Sequence, residues 1–285
     1  MELTATALAI LATIGFSVVV PLVATSTKRI GAVATMFLFQ GLGVPLFALL
    51  VPVMPPIPPE THIRVILTIG VAFTFVYLLF LRATKIGTVA VVSTVNQLYM
   101  VVTTLLGVWL LGESFTIWKI LGLCLMFIGV LLLGFQKPTK KISSIQLLAG
   151  VPHALLSAFG TGIYLFSIAM TSRTDGWFLT ALFIRVAITL TSFVVLLIRK
   201  YNFSSLQKNA PWKLLFFAAV CDVGAFSLYN YVISTYEVST ITIITASQAA
   251  VIALLSWKFL KERLTLQQVI GIGVVLGGLI SLQLQ

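Results

Sequence analysis

The sequence predicts an all-α integral membrane protein, with ten transmembrane helices arranged as two five-helix repeats of inverted topology. Three observations predict this fold: charged residues are scarce, ten long apolar runs follow one another, and the two halves share short motifs. Of the 285 residues, 59% are apolar and 9% are charged, whereas a soluble domain averages about 25% charged residues. So few charges cannot cover the surface of a soluble protein of this length.

Ten apolar runs have the length of membrane-spanning helices, which need about 20 mostly apolar residues each. The runs are continuously apolar, which favours helices over the alternating strands of a β-barrel. Short connections that carry prolines and charges separate them. In order, the predicted spans cover residues 3–24, 31–51, 62–81, 87–111, 117–135, 146–170, 177–198, 212–233, 239–258 and 265–284.

Basic residues gather in every second connection between these spans. The odd-numbered connections carry 14 of the 18 basic residues, the even-numbered ones carry three, and Arg185 falls within a span. The fourteen are Lys28, Arg29, Arg82, Lys85, Lys137, Lys140, Lys141, Arg199, Lys200, Lys208, Lys213, Lys258, Lys261 and Arg263. Because basic residues mark cytoplasmic loops, we expect a bacterial-type plasma membrane protein with both termini outside. The net charge of +11 therefore indicates topology and not binding to nucleic acid.

An internal repeat relates the two halves of the chain. An offset of 149 aligns Gly122 with Gly271 and Gly129 with Gly278, while an offset of 145 aligns Gly15 with Gly160 and Gln40 with Arg185. Each half holds five spans, so the second half enters the membrane with opposite polarity. Inverted repeats of this kind are typical of secondary transporters, whose site lies near mid-membrane. We predict repeats at 1–136 and 145–285, joined by a basic cytoplasmic linker at 137–144.

Arg185 and Asp222 are charged residues deep within predicted spans seven and eight. At 1.5 Å per residue, Arg185 lies about 12 Å from the outer end and Asp222 about 15 Å from the inner end. In a hydrocarbon core about 30 Å thick these depths nearly coincide, so an ion pair is feasible. Either residue binds substrate or carries a coupling proton, or the pair only holds the two spans together. A pair favours the charged carboxylate, so proton coupling at Asp222 requires the pair to break.

Polar side chains recur at equivalent positions of spans four and nine. Each set lies on one helix face, and the two sets are Ser93, Asn96, Tyr99 and Thr103, and Thr242, Thr245 and Gln248. Such recurrence predicts a shared central cavity, although hydrogen bonding between helices would also explain it. We favour the cavity because Asn96, Tyr99 and Gln248 are larger than close packing needs.

Aromatic residues accompany Asp222. Phe226 and Tyr229 follow it on the same helix face, and Tyr164 on span six adds to the wall. A charge among aromatic rings suits a partly apolar, cationic metabolite. The predicted substrate-binding residues are Arg185, Asp222, Asn96, Tyr99, Gln248, Tyr229, Phe226, Gln40 and Tyr164. We expect no catalytic residue, and no metal site, because Cys124 and Cys221 lie in apolar runs without metal-ligand spacing.

Two further motifs have structural interpretations. Glu113 and Glu262 precede spans five and ten, where each would be stabilised by the dipole of the helix that it precedes. Gly273 and Gly277 form a GxxxG motif on span ten, which predicts a packing surface for a dimer or for an internal contact.

Several motifs near the ends of the halves carry a family resemblance. They are Thr88–Val89–Ala90 through Leu98–Tyr99, Thr103, Gly112–Glu113, Val238–Ser239–Thr240, Ser247, residues 259–265, Gln268, Gly271 and Gly278. In these residues the chain resembles the drug/metabolite transporter superfamily, in its ten-helix EamA-like branch. It departs from the pattern at Gln40, where the family has Arg, and at Met100 and Ala249, where Pro is frequent. The resemblance implies translocation by alternating access, often as export of amino acids or other small metabolites, without a bound cofactor.

The sequence therefore favours a secondary transporter for a small-molecule substrate such as an amino acid or amine, with coupling to a proton or another ion left open. An uncoupled facilitator or exchanger is the alternative within transport. A non-transporting receptor and an intramembrane enzyme are the alternatives outside it. The motifs GxxxxGK[ST] and GxSxG are absent, and a second membrane acid for an aspartyl protease is lacking. The expected partners are the lipid bilayer and, at most, a second copy of the chain, since monomer and homodimer both stay open.

Overall fold

The chain folds into a bundle of α-helices in the computed structural model, which describes residues 3–53, 61–87, 89–134, 150–260, 265–282 and 284. No strand occurs in this described part. A short 3-10 helix, Val51–Val53, follows α2. In chain order the helices are α1 (Leu3–Ile30), α2 (Ala32–Ala48), α3 (Ile63–Ile86), α4 (Val89–Asn96), α5 (Tyr99–Leu111), α6 (Ile117–Gly134), α7 (Val151–Thr174), α8 (Trp177–Ile198), α9 (Phe203–Asn209), α10 (Trp212–Thr235), α11 (Val238–Ala246), α12 (Gln248–Leu260) and α13 (Leu266–Ser281).

Apolar helical segments occupy the positions of the ten predicted spans. Six are long and apolar enough to cross a membrane: Thr4–Ile30, Ile63–Ile86, Val91–Leu111, Val151–Thr174, Trp177–Ile198 and Trp212–Thr235. The other four are shorter apolar helices: Ala32–Ala48, Ile117–Leu133, Val238–Ile252 and Val269–Ser281. The predicted all-α membrane fold is therefore confirmed, with α9 as an additional short helix between spans seven and eight.

Spans four and nine are each interrupted near the middle, although the sequence predicts them as continuous. The first interruption lies between α4 and α5, where Gln97 and Leu98 donate backbone hydrogen bonds to Thr94 and Val95, three residues earlier. The second lies between α11 and α12, where Ser247 donates in the same way to Ile244. Such bonds tighten the helix locally, and a tightened turn within a helix often marks a functional hinge.

A pseudo-two-fold axis relates the repeats, because helix contacts recur in exchanged pairs. α1 packs on α10 as α7 packs on α3, and α2 packs on α10 as α8 packs on α3. The contacts of single residues follow the same exchange. A Cβ built on Gly15 would lie 2.8 Å from Ala225, and one built on the equivalent Gly160 would lie 2.6 Å from Val76.

The contact between α6 and α13 shows the inversion directly. Gly129 faces Gly271 and Gly122 faces Gly278, so the two helices run antiparallel with their equivalent glycines exchanged. The GxxxG glycines approach α6 less closely: among the described residues, a Cβ built on Gly273 meets nothing within 4 Å, and one on Gly277 meets Leu125 at 4.0 Å. The internal helix contact therefore uses Gly271 and Gly278 and not the predicted GxxxG motif.

Connections meet at the two ends of the bundle in the predicted alternation. At one end, which we call the basic end, the Tyr201 hydroxyl donates to the Ile30 carbonyl at 2.9 Å and so joins two odd-numbered connections. At the opposite end, His62 and Asp175 join two even-numbered connections through a 2.9 Å contact between Nδ1 and Oδ1. The basic linker 137–144 and Glu262 lie outside the described residues.

Candidate functional site

A cavity of about 170 Å³ lies near the middle of the bundle, between the two repeats. All nine predicted substrate-binding residues line it: Gln40, Asn96, Tyr99, Tyr164, Arg185, Asp222, Phe226, Tyr229 and Gln248. They come from both repeats and from α2, α4, α5, α7, α8, α10 and α12. The fold thus brings together residues that are up to 208 positions apart in the sequence, from Gln40 to Gln248.

The charged pair at the cavity wall joins α8 to α10. Arg185 donates from Nη2 to Asp222 Oδ2, as the matched depths of the two residues predict. Rings of Phe39, Phe47 and Phe226 surround the guanidinium, with centroids 6.0, 5.2 and 5.9 Å from Cζ. Aromatic faces attract a cation within about 6 Å, so these rings and Asp222 together stabilise the buried positive charge.

The two interrupted spans meet at the cavity through their amide side chains. Gln97 Nε2 donates to Gln248 Oε1 at 3.1 Å, and both side chains are almost fully buried. Within the described part of the chain, the Gln97 carbonyl oxygen and the Ser93 hydroxyl have no hydrogen-bond partner. Buried polar groups are normally hydrogen-bonded, so this wall has unused capacity to bind a polar solute group.

Gln97 is a polar cavity residue that sequence reasoning missed. It lies four residues after Ser93 and so shares the helix face of that serine, but the predicted stripe followed Asn96 and Tyr99 instead. The signal in the sequence was the pair of adjacent amides, Asn96 and Gln97, in the middle of an apolar run. Large amides at that depth are costly unless they find partners.

The predicted polar stripes divide between the cavity and helix packing. Ser93, Asn96, Tyr99, Thr245 and Gln248 line the cavity. The remaining two threonines have partners in the protein. Thr103 donates to the Gly162 carbonyl at 3.0 Å, and Thr242 lies 3.3 Å from the Tyr229 hydroxyl. Both explanations weighed for the stripes therefore hold, each for different residues.

Aromatic rings form much of the remaining wall. Phe73 and Tyr164 stack with ring centroids 3.6 Å apart, and Tyr77 extends the stack towards Phe80. On the other side, Phe16 meets Tyr229 edge to face at 6.1 Å. A wall of this kind accepts an apolar body, while the charged pair and the amides provide polar recognition.

A network of charged residues ties the repeats together at the opposite end. Gly112 ends α5 in the left-handed conformation, with φ of 64°, and Glu113 follows it. The Glu113 carboxylate accepts hydrogen bonds from the backbone N–H groups of Val238 and Ser239 at 2.7 and 2.9 Å. The prediction that Glu113 stabilises the helix it precedes, α6, is therefore wrong: it caps α11, in the other repeat. Its carboxylate reaches that helix start because the inverted repeats place the two connections side by side.

Lys119 and Glu237 form a second bond between the repeats at this end. The fully buried Lys119 donates from Nζ to Glu237 Oε2 at 2.6 Å and to the Ser239 hydroxyl at 2.9 Å. Burial alone would raise the pKa of Glu237, but hydrogen bonds from Lys119 and Ser114 outweigh it and hold that pKa below its ordinary value. In the same way, hydrogen bonds from His62 outweigh burial and lower the pKa of Asp175.

Comparison with models of known protein families identifies the family of this chain. A model of the EamA-like transporter family matches residues 3–135 and again residues 148–283. The chain belongs to the EamA-like transporter family. It is thus a multi-pass membrane transporter of the drug/metabolite superfamily, whose members are transporters and not enzymes. No curated sequence matches the chain.

A solved crystal structure of another protein supports the fold of this EamA-like transporter. The two superpose with a TM-score of 0.72 over 100% of this chain and 98% of the other, at 15% sequence identity. At that identity the likeness shows the shared architecture alone.

Proposed function

We propose that the protein is a secondary transporter that moves a small metabolite, such as an amino acid or an amine, through the central cavity by alternating access. One observation carries the proposal: the cavity with its charged pair lies near the middle of the helix bundle, at the interface of two inverted repeats. Inverted-repeat transporters bind their substrates in this position.

The exchanged helix contacts support a rocking movement between the repeats. Since α1 packs on α10 as α7 packs on α3, the repeats can exchange their roles and open the cavity at either end in turn. The tightened turns between α4 and α5 and between α11 and α12 lie beside the cavity. Bending at these turns would let the repeats open and close the cavity. The bonds of Glu113 and Lys119 join the two repeats at the opposite end in the conformation described.

Coupling and orientation are further parts of the proposal. Asp222, which is bonded to Arg185, is the candidate proton carrier. An uncoupled facilitator or exchanger is the second candidate, because Asp222 is held by Arg185 in the structure. We place the basic end in the cytoplasm and both termini outside a bacterial-type plasma membrane, on the charge bias of the connections. The proposed transport uses no bound cofactor, and the working unit is a monomer or a homodimer.

The test is uptake by purified protein in liposomes. Thermal-shift screening against amino acids, amines, sugars and nucleosides first selects solutes, because a bound ligand stabilises the folded state. Labelled solutes that bind are then followed into proteoliposomes with and without a pH gradient. Accumulation that needs the gradient supports coupling, and loss of that accumulation in Asp222→Asn supports Asp222 as the carrier. Gradient-driven uptake by Asp222→Asn would refute the coupling role, and flux without accumulation would favour the facilitator.

A further inference from the structure

The two charged side chains of the pair differ in how much of their surface is exposed. The Asp222 side chain keeps 13% of its surface exposed, and the Arg185 side chain keeps 2%. Nε and Nη1 of Arg185 are buried and have no hydrogen-bond partner among the described residues. The charge that a solute meets is therefore the carboxylate, although the pair as a whole is neutral.

One face of α2 holds the guanidinium in this position. Phe39, Gly43 and Phe47 follow one another at intervals of four residues, so they lie on the same face of the helix. The guanidinium rests on Gly43 between the two rings, and a Cβ built there would lie 2.9 Å from both Cδ and Cζ of Arg185 and in severe overlap with Nη1. We call Phe39, Gly43 and Phe47 the arginine seat.

We propose that the cavity recognises an ammonium group on an apolar body through Asp222, and that the arginine seat keeps Arg185 back as the counter-ion of this carboxylate. This inference rests on the cavity being the solute site of the proposed function. The rings of Phe16, Tyr77, Tyr164 and Tyr229 line the same cavity and provide faces for an ammonium and its apolar body. A solute carboxylate would have to reach guanidinium donors that lie against Gly43 and Phe47, away from the open space. Gly43 is in this sense a positioning residue that determines charge specificity.

Two probes with one skeleton test the charge preference. Phenethylamine and 3-phenylpropanoate share a phenyl ring and a two-carbon chain, and differ in carrying an ammonium or a carboxylate. Binding to the purified full-length protein is measured by titration calorimetry in a neutral detergent. We expect phenethylamine to bind at least about tenfold more tightly than 3-phenylpropanoate. A preference for 3-phenylpropanoate, or no binding of phenethylamine to folded protein, overturns the proposal.

Two alanine variants in α2 test the seat. Gly43→Ala drives the guanidinium out of the seat, so phenethylamine binding should fall about tenfold or more while 3-phenylpropanoate binding increases. Gly41→Ala is the matched control, because a Cβ there meets only Thr189, at an ordinary 3.4 Å. A purely structural role for Gly43 would weaken both probes alike, and that result overturns the seat.

A second variant tests the seat independently, in case Gly43→Ala does not fold. Phe47→Leu removes one ring from the seat without adding a clash, and it should shift the preference between the two probes in the same direction by a smaller factor. An unchanged preference in folded Phe47→Leu counts against the seat. Flux measurements separate this inference from the proposed function: phenethylamine binding without flux of any solute refutes transport alone, whereas flux with a preference for the carboxylate probe refutes the inference alone.

Discussion

A buried guanidinium requires compensation from its immediate surroundings, and at the residue scale Asp222 and three rings provide it. Arg185 is among the largest fully buried side chains of the protein. Removing one partner of a buried pair leaves an uncompensated charge, which costs more than the intact pair contributes. A substitution of either residue should therefore change the stability of the fold as well as solute binding in the cavity.

Asp222→Asn tests this coupling. The substitution preserves size but removes the charge opposite Arg185, so we expect a loss of unfolding free energy of about 3 kcal/mol or more. Adding Arg185→Gln to Asp222→Asn should recover part of the loss, since the orphaned charge is then gone. Denaturant unfolding in detergent measures both, and Lys208→Gln at the exposed basic end is the control. A single variant as stable as the parent would contradict this account of the pair.

Sequence reasoning reached the site residues for which depth and helix face decide the position. Arg185 and Asp222 lie at one level because 1.5 Å per residue is a fixed rise, and the cavity geometry agrees. Gln97 was not predicted because the stripe was followed through Asn96, although Gln97 lies four residues after Ser93 and shares its helix face. The arginine seat was not predicted because it depends on how closely α2 approaches α8, which only the packed structure shows. Whether the predicted residues bind substrate stays a prediction.

At the element scale, glycines set how closely the repeats approach each other. A Cβ on Gly129 would lie 2.7 Å from Val275 and 3.0 Å from the Gly271 carbonyl, whereas one on Gly273 would meet nothing within 4 Å. Both residues are helical glycines in the same pair of packed helices. Their unequal surroundings give a direct comparison.

Gly129→Ala should destabilise the protein by about 1–3 kcal/mol, because overpacking forces α6 and α13 apart. Gly273→Ala should be neutral or slightly stabilising, since alanine is the better helix former and has space there. Thermal unfolding of the two variants in one detergent makes the comparison. Equal losses would mean that the GxxxG face, and not the Gly129–Gly271 contact, supports the internal packing.

Element boundaries follow from the sequence where apolar runs end at charges and prolines. The interruptions of spans four and nine do not, because neither Gly nor Pro occurs at Gln97–Leu98 or Ser247. Glu113 shows a similar limit. Its position before α6 suggested a local role, but the N–H groups that it reaches belong to α11, and this proximity arises only when the inverted repeats pack together.

At the scale of the whole molecule, the opposite end is joined by carboxylates whose pKa values lie below their ordinary values. Glu237 bonds to Lys119 and Asp175 contacts His62, and both bonds connect different parts of the chain at that end. A carboxyl group with a lowered pKa in the folded state stabilises the fold at neutral pH, and this contribution is lost on protonation.

The free energy of unfolding should therefore decrease in acid. The contribution of Glu237 is complete above its unfolded pKa of about 4.3 and disappears as the pH falls through the lower folded value. Glu237→Gln should be less stable than the parent at pH 7 and show a shallower decline between about pH 5 and pH 2. Unfolding measured across this range tests it, with Asp175→Asn as a parallel case. An identical acid profile in Glu237→Gln would show that this carboxylate does not contribute.

The inverted architecture was predictable because it follows from counting: five apolar runs in each half reverse the second half. The identity of the solute was not predictable, because it depends on which polar atoms face the cavity once the helices are packed. Solute movement through that cavity is the central claim.

Counterflow tests this claim most directly. Proteoliposomes preloaded with unlabelled L-phenylalanine are diluted into a trace of the labelled compound. Its ammonium group and aromatic ring suit the cavity, and its additional carboxylate makes it a zwitterion that crosses lipid slowly without a transporter. We predict transient accumulation of label that needs the preload and is lost with Asp222→Asn. Label entry no faster than into protein-free liposomes, from folded protein that binds L-phenylalanine, would contradict the claim.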